Sequence, residues 1–502
     1  MTIGSPALAA YSLQITHLNA GWLSRAFLDL EYPNSRAIST VLSTFQHVPI
    51  RISPTNCLLP SLIVLPQNDA YWELLLKGAK KSRRWSIPLV VGFAWVVVAT
   101  LLTIIDSFCS PPPTGEVGYA IVATWAYLLP LIMGWLHVGS QPTPNHLREC
   151  LSSANQIAWV ATDTKNRPIR AKDVAGRQTQ AIEFMRRDNV DRARMDELRA
   201  VPVFNYARAF IWSLHAQQVL SLARSAAAKA ERRIPVDNYG PGRGTAWVAS
   251  DNWSVANENR IGTEEQVIRY CTETFAPSEE VSGAPSIATP PGSEPLRTPN
   301  TSIALLPLYN PGREVSRKQS RWAPGIWRRA ILAVFFALGL QWGTIGAAVV
   351  IHYWKPPVGL GCRSLAFLLY GIAATLSMFL CLAATILAHI SRPQHGPVHW
   401  LSWSQRWLDW GAVFCGYLGK GLTLASGIGI ILICSFQSSG AFTDCYCSST
   451  TIDKGVYDVA FPTINYVIRP DIVGVWIGGL VLAFSAAVLF GFSLYLGTPP
   501  RR

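Results

Sequence analysis

The chain has 502 residues, of which 50% are hydrophobic and 15% are charged, and its mean hydropathy is +0.22. Soluble globular proteins carry about 25% charged residues, so this composition argues against a soluble enzyme, and the apolar and aromatic content excludes a largely disordered chain. The formal net charge of +13 indicates a polyanionic partner, which is either nucleic acid or an anionic membrane surface.

The N-terminal region, residues 1–85, contains no stretch long enough to span a membrane. A secretory signal peptide requires a basic residue before its apolar run, and none precedes the first apolar run of this chain. The apolar run at 57–66 holds two prolines and is too short to cross a bilayer. We therefore expect residues 1–85 to be a cytosolic region.

Residues 86–138 contain the first two predicted transmembrane helices. A spanning helix needs about 20 apolar residues, and the stretches 86–105 and 117–136 satisfy this requirement. Five Lys and Arg residues within 77–84 precede the first stretch, whereas the loop between the two has none. Basic residues concentrate on the cytosolic side of spans, so this pattern predicts a cytosolic N-terminus.

Residues 139–275 form a predicted cytosolic helical insertion. Helices are expected around 178–187 and over 203–233, where Phe204, Ala207, Ile211 and Leu214 share one helix face. Between 163 and 199, charges of both signs recur four residues apart, as on a solvated helix surface. A nucleic-acid site would present a stripe of one sign. We therefore expect no nucleic-acid partner.

A linker and four further spans complete the chain. Residues 276–325 are rich in Pro, Ser, Thr and Gly, which is typical of a disordered linker. Residues 326–502 hold transmembrane stretches at 330–351, 364–388, 410–436 and 472–496. The sequence thus predicts an all-α membrane protein, a six-transmembrane-helix bundle with a partly helical, partly disordered cytosolic insertion.

The distribution of basic residues predicts the orientation of this bundle. With both termini in the cytosol, 38 of the 43 Lys and Arg residues fall on cytosolic segments and four on outer loops. The net charge is then a topology signal and a contact with anionic lipids of the cytosolic leaflet. The predicted partner is the lipid bilayer of the plasma membrane or of an endomembrane.

Four cysteines lie on the predicted outer loops, where disulfides can form: Cys109, Cys362, Cys445 and Cys447. A bridge between Cys445 and Cys447 would close a strained ring, so Cys362 is expected to pair with one of them and Cys109 with the other. Free thiols are the alternative. Cys57, Cys150 and Cys271 fall on the cytosolic side and should stay reduced.

Lys420 is the one charge well inside a predicted span, and such charges are costly enough to suggest a function. In an ion or substrate path it could pair with an anion, with Gln341 from the third span, or with Asp409 or Asp471. The alternative is that Lys420 lies towards the cytosolic end of its span and extends to the interface.

Four tryptophans spaced three and four residues apart predict an interfacial helix at 399–410, before the fifth span. Trp400, Trp403, Trp407 and Trp410 share one face of this helix, and indoles are enriched at membrane interfaces. We interpret them as an anchor and not as a ligand site.

No pattern in the sequence indicates catalysis, a metal or a cofactor. His389, His395 and His399 lie close together, but prolines interrupt them and no acidic or cysteine ligand accompanies them. Phosphate-binding loops, nucleophile elbows and zinc-protease helices are lacking in the sequence. We therefore expect a protein that is not an enzyme.

Four stretches of the chain are distinctive: SPALAAYSLQITHLN (5–19), SLIVLPQND (61–69), LQWGTIGAAVVI (340–351) and VGLGCRS (358–364). They resemble an uncharacterised family of multi-pass membrane proteins from filamentous fungi. The resemblance implies neither an activity nor catalytic residues. In that family the first stretch usually follows an earlier membrane segment, so a further N-terminal span is an expectation.

Two classes of function remain. One is a non-enzymatic membrane protein that scaffolds or regulates through its inner segment. The other is a small-solute or ion transporter or channel with Lys420 and Gln341 in the path. Transport requires polar residues from several spans to converge, and these two are nearly alone in the sequence, which favours the first class.

Overall fold

The computed structural model describes most of the chain. The described residues are 2–53, 57–80, 87–109, 115–139, 143–164, 168–174, 180–185, 191–238, 246–249, 257–272, 321–354, 359–392, 403–439, 442 and 470–496. Most of the predicted linker, the histidines His395 and His399, and Trp400 lie outside them.

The described part is almost entirely helical. Helices in the first half are α1 (Pro6–Leu28), α2 (Ser35–Phe45), α3 (Leu58–Val64), α4 (Asp69–Lys80), α5 (Ile87–Cys109), α6 (Gly115–Trp125), α7 (Leu128–Gly139) and α8 (Pro144–Ile157). They are followed by α9 (Asn205–Glu231), α10 (Glu264–Thr272), α11 (Ile326–Tyr353), α12 (Cys362–Ile390), α13 (Trp403–Ser438) and α14 (Pro470–Leu496).

Two small antiparallel sheets join distant parts of the chain. β1 (Ile50–Ile52) pairs with β4 (Ile182–Phe184), with Ile50 opposite Phe184. β2 (Trp159–Val160) pairs with β3 (Ile169–Arg170). The helix predicted around 178–187 is therefore wrong, because part of that segment forms β4. The helix predicted over 203–233 is present as α9.

Within the described residues, five helices are long and apolar enough to cross a membrane, which indicates a multi-pass membrane protein. They are Val117–Leu136, Ile326–Tyr353, Cys362–Ile390, Gln405–Gln437 and Gly474–Tyr495. The first predicted span falls on α5, in which Phe93–Asp106 forms a shorter apolar helix. The first predicted span, and with it the total of six, thus stays a prediction.

The second span is broken near its middle by Pro130. Proline has no backbone N–H, and its ring clashes with the carbonyl four residues earlier. The carbonyl of Ala126 instead accepts from the N–H of Leu129 at 3.3 Å. As a result the span consists of two shorter helices, α6 and α7.

Large apolar side chains are exposed chiefly on the span-length helices and on α5. On α11 and α14, Phe335, Val488 and Leu489 are among the most exposed apolar side chains, at 65–69%. On α13 the same holds for Phe414 and Leu424. Soluble monomers rarely expose contiguous apolar surface of this extent. These faces are suited to contact with lipid.

The N-terminal region (1–85) and the predicted inner insertion (139–275) share one apolar core. Residues from α2, α3 and α4 pack in it against residues from α8, α9 and α10. Arg260, from the insertion, donates to both carboxylate oxygens of Asp69 in α4, at 2.9 and 2.7 Å, and to the carbonyl of Val64 at 2.8 Å. The two segments therefore form a single unit, which we call the soluble core.

Helix α1 belongs to two cores. Its C-terminal half, with Leu23 and Phe27, lies in the soluble core. Its N-terminal half, from Ala7 to Ile15, is buried against α7, α11, α12 and α14. The sequence predicts a single region over 1–85, because no stretch within it is long enough to span a membrane. Helix α1 carries polar residues, among them Gln14 and His17. These residues are buried, so α1 places polar side chains inside the protein.

The tryptophan-rich segment is continuous with the fifth span. Residues 403–410 form the first turns of α13, a 36-residue helix, and are not a separate helix. At 1.5 Å per residue α13 is about 54 Å long, which exceeds the ~30 Å hydrocarbon thickness of a bilayer. Trp403, Trp407 and Trp410 are 62–75% exposed on its extension. Their role as an anchor stays a prediction.

Replacing Arg260 by Ala should destabilise the soluble core by about 2 kcal/mol. The change removes hydrogen bonds to a carboxylate and to a buried carbonyl, and charged hydrogen bonds each contribute about 1.5–3 kcal/mol; the 40% exposure of Asp69 reduces the total. Urea unfolding in detergent micelles measures the effect. The matched control is Arg269→Ala, whose pair with Glu265 is about half exposed and should contribute less than about 1 kcal/mol. Equal losses in both variants would show that the Arg260 cluster does not join the two segments.

Candidate functional site

Lys420 forms an ion pair with the inner insertion. Its Nζ lies 2.7 Å from Oδ1 of Asp196, which belongs to a 3₁₀ helix at Arg192–Leu198. The partners considered from the sequence, Gln341, Asp409 and Asp471, are thus replaced by a residue outside the spans. The pair joins α13 to the soluble part of the chain.

Lys420 lies well away from the C-terminal end of the neighbouring helix, α12. A Cβ on Gly419 would be 2.8 Å from Sγ of Cys381 in α12, which fixes the register of the two helices. Cys381 is about 14 Å along the axis from the end of α12 at Ile390. The 3₁₀ helix Arg192–Leu198 packs against the C-terminal part of α12 and the N-terminal half of α13.

The Asp196 carboxylate has two further polar neighbours. The hydroxyl of Tyr206, at the start of α9, donates to its Oδ2 at 2.9 Å. Arg199 Nε lies 4.0 Å from its Oδ1. An isolated charge in a low-dielectric environment is costly, so these contacts and Lys420 are what allow Asp196 to lie there.

Glu197 forms a second connection between the insertion and the spans. Its carboxylate is bonded to Arg194 at 3.1 Å and to Arg392, which directly follows α12. Burial alone would raise the pKa of Glu197, but the two guanidinium groups hold that pKa below its usual value. The carboxylate is therefore ionised at neutral pH.

Arg208 holds the 3₁₀ helix and the N-terminal region in place. Its side chain is 3% exposed. Burial lowers the pKa of Arg208 to about 10, while the nearby Glu197 opposes the shift, so the guanidinium stays charged at neutral pH. It donates to the carbonyls of Gln46, His47, Glu197 and Arg199 and to Oδ1 of Asn205. We call the group formed by Asp196, Glu197, Arg208, Arg392 and Lys420 the junction.

Gln341, the second candidate for a transport path, is fully buried in contact with α1. Its Oε1 accepts from the N–H of Ala7 at 3.1 Å. Its Nε2 donates to the carbonyl of Gly371 at 3.0 Å and to the hydroxyl of Thr375 at 2.7 Å. The amide thus satisfies one of the free N–H groups at the start of α1. Gln341 and Lys420 have separate partners.

Further polar groups of the spans bind the residues just before α1. Ser5 Oγ donates to the carbonyl of Ala374 at 3.0 Å, and Ser426 Oγ donates to the carbonyl of Gly4. A Cβ on Gly4 would lie 1.8 Å from the carbonyl oxygen of Thr423, so only glycine fits at this position. Polar residues of several spans therefore converge, as transport would require, but the chain's own N-terminal segment occupies the place where they meet.

The cysteines differ partly from the prediction. Cys362 is disulfide-bonded, while Cys109 is a free, exposed thiol, so the predicted bridge at Cys109 is wrong. Cys445 and Cys447 lie outside the described residues. Cys57, Cys150 and Cys271 are not disulfide-bonded.

His389 has structural contacts. Its Nε2 lies 2.8 Å from the carbonyl of Arg321, and its ring packs on Trp322 with centroids 4.6 Å apart. Within the described ranges, no group of three His, Cys, Asp or Glu side chains is placed to hold a metal ion.

Asp196, Glu197 and Arg208 were not predicted as site residues. The mixed charges of 163–199 indicate a solvated surface, whereas Glu197 is 4% exposed. The only signal in the sequence was the lone charge of Lys420, which requires a partner but does not identify it. Comparison with protein-family models, with curated proteins and with solved structures gives no match to this chain.

A double-mutant cycle on Asp196 and Lys420 should give a coupling energy of about 1–3 kcal/mol. Removing either partner leaves the other charge half-buried, whereas removing both does not, so the effects of Asp196→Asn and Lys420→Met should be less than additive. Thermal unfolding in nanodiscs measures the stabilities. The control pair is Glu73 and Lys77, which are 63% and 73% exposed and should couple by less than about 0.5 kcal/mol. Additive losses at Asp196 and Lys420 would contradict the ion pair.

Proposed function

We propose that this protein is a non-enzymatic multi-pass membrane protein that scaffolds or regulates through its soluble core. The observation that carries the proposal is the pairing of Lys420 with Asp196. The one charge well inside a span serves to hold the inner insertion against the spans, which leaves it no separate role in a path. Gln341 likewise binds α1. Both candidate path residues thus connect the spans to the segments outside them.

The alternative is a small-solute or ion transporter or channel with Lys420 and Gln341 in the path. Two observations favour it: polar groups of several spans converge near Gly4, and Lys420 is 31% exposed and lines a crevice. Against it, Gln341 is fully buried, and α1 fills the region where the polar groups meet. A path would require α1 to move.

We further propose that the protein has six spans and that both of its termini lie in the cytosol. Its membrane is the plasma membrane or an endomembrane. The excess of Lys and Arg on the inner segments supports this orientation. The disulfide at Cys362, on a predicted outer loop, and the cysteines of the soluble core that are not disulfide-bonded also support it. Membership in the fungal family that the sequence resembles is likewise a proposal.

Flux measurements separate the two functions. Proteoliposomes with the wild-type protein should pass K⁺, Cl⁻ and H⁺ no faster than empty liposomes. Lys420→Leu should leave flux unchanged but release the 3₁₀ helix Arg192–Leu198, which limited proteolysis detects as faster cleavage there, because a released segment is open to proteases. The control is Lys77→Leu, at an exposed site of α4. Wild-type flux that Lys420→Leu abolishes, with cleavage unchanged, would favour transport instead.

The orientation is tested with the native thiol of Cys109. In sealed vesicles whose cytosolic face is outward, a membrane-impermeant maleimide should label Cys109 only after detergent is added, since this exposed thiol lies on a predicted outer loop. The comparison with Cys109→Ser identifies the labelled site. Labelling of Cys109 in intact vesicles would reverse the orientation.

A further inference from the structure

A crevice lies between the 3₁₀ helix Arg192–Leu198 and the inner ends of α12 and α13. Its floor consists of small side chains, namely Ala384 and Ala388 of α12 and Ala412 and Gly416 of α13. From Cys381 to Ala388 it extends about 10 Å along α12. Tyr417, beside it, is 71% exposed. The crevice is a narrow slot beside the surface that faces lipid.

Positive charge is in excess at this crevice. Arg192 and Arg194 line it from the 3₁₀ helix with Asp196 and Glu197, and Lys420 lines it from α13. Including their charged neighbours, six cations lie beside three carboxylates. The cations are Arg192, Arg194, Arg199, Arg208, Arg392 and Lys420, and the carboxylates are Asp191, Asp196 and Glu197.

The carboxylates leave part of this charge unpaired. Lys420 forms an ion pair with Asp196, and Arg194 and Arg392 form ion pairs with Glu197. Arg208 donates to carbonyls and to one amide. The Nε of Arg392 is buried and has no hydrogen-bond partner within the described part of the chain. Uncompensated positive charge near a low-dielectric region is costly, and a bound anion would remove that cost.

We propose that this crevice binds a phosphate-bearing anion. Guanidinium groups bind phosphate oxygens through paired, charge-assisted hydrogen bonds, and Arg192 is exposed at the rim to provide them. The floor of small apolar residues gives room for a chain attached to the phosphate. The best-suited source is a phospholipid of the adjoining leaflet with an exposed phosphate; free inorganic phosphate has the same chemistry.

Gly416 and Gly421 provide a matched pair of variants. A Cβ on Gly416 would meet Ala384 Cβ at 3.6 Å, so Gly416→Leu fills the slot, whereas nothing lies within 4 Å of a Cβ on Gly421. Gly421→Leu thus makes the same change on the same helix outside the crevice. Arg192→Gln removes a cation at the rim, and Arg224→Gln, on an exposed position of α9, is its control.

The experiment measures lipid retention by the full-length protein in nanodiscs of phosphatidylcholine with one tenth phosphatidic acid. Native mass spectrometry should show about tenfold more phosphatidic acid retained by the wild type than by Gly416→Leu or Arg192→Gln. Gly421→Leu and Arg224→Gln should match the wild type. Thermal unfolding of each variant verifies that it is folded. If Gly416→Leu does not fold, Arg192→Gln alone tests the proposal.

A second arm identifies the source of the anion. In nanodiscs of phosphatidylcholine alone, inorganic phosphate is added and the unfolding temperature is measured. Stabilisation that Arg192→Gln and Gly416→Leu both abolish would support the site with free phosphate as its ligand. Equal retention of phosphatidic acid by all variants, with no specific effect of phosphate, would overturn the proposal. Neither arm depends on whether the protein transports a solute.

Discussion

The arrangement of this protein depends on the burial of α1 at both of its ends. A helix that begins among spanning helices carries free N–H groups into a region where water cannot satisfy them. Gln341 accepts from the N–H of Ala7, while Ser426 and Tyr370 donate to the carbonyls of Gly4 and Ile3 just before the helix. These polar residues would be costly in the spans without α1, and α1 would be costly there without them. The spans and the N-terminal helix therefore require each other.

The same reasoning applies to the charges of the junction. Arg208 is buried yet remains charged, because five oxygen atoms accept its hydrogen bonds. Two of these acceptors, in Glu197 and Arg199, belong to the segment that carries Asp196 to Lys420. Arg208 thus fixes the backbone, and the backbone positions the two carboxylates for Lys420 and Arg392. Removal of one member would leave the others desolvated without a partner.

The sequence predicts the spanning helices well because their signal is local. About 20 consecutive apolar residues can hardly form anything else, and the structure has helices at all six predicted stretches, five of them of spanning length. Elements that depend on distant partners are not predictable in this way. The segment around Ile182 has the charge pattern of a helix, but it pairs with β1 from the N-terminal region. The helix at 403–410 is predicted, but its continuation into the span is not, because Gly411 at the boundary is compatible with a break between two helices as well as with one continuous helix.

Lys420 marks the limit of sequence reasoning about the candidate site. Its cost inside a span is evident from composition, and a partner is therefore required. The identity of Asp196 follows only from the fold, because the mixed charges around it have the same pattern on a solvated surface. Similarly, the polar residues of α1 argue against placing it among spans until Gln341 and the serines are seen to bind it. In both cases the sequence identifies the residue but not its partner.

These two connections together restrict how the soluble core can move relative to the spans. Helix α1 is a rigid rod with one end in each unit, so a shift of the soluble core along its axis moves Ser5 away from Ala374. The junction lies at a different place, beside the C-terminal part of α12 and the N-terminal half of α13, and resists rotation about α1. A change in the soluble core can therefore reach the spans along two routes with different chemistry. The route through α1 depends on packing and buried hydrogen bonds, whereas the route through the junction depends on charge and is the one that an anion beside Arg192 would alter.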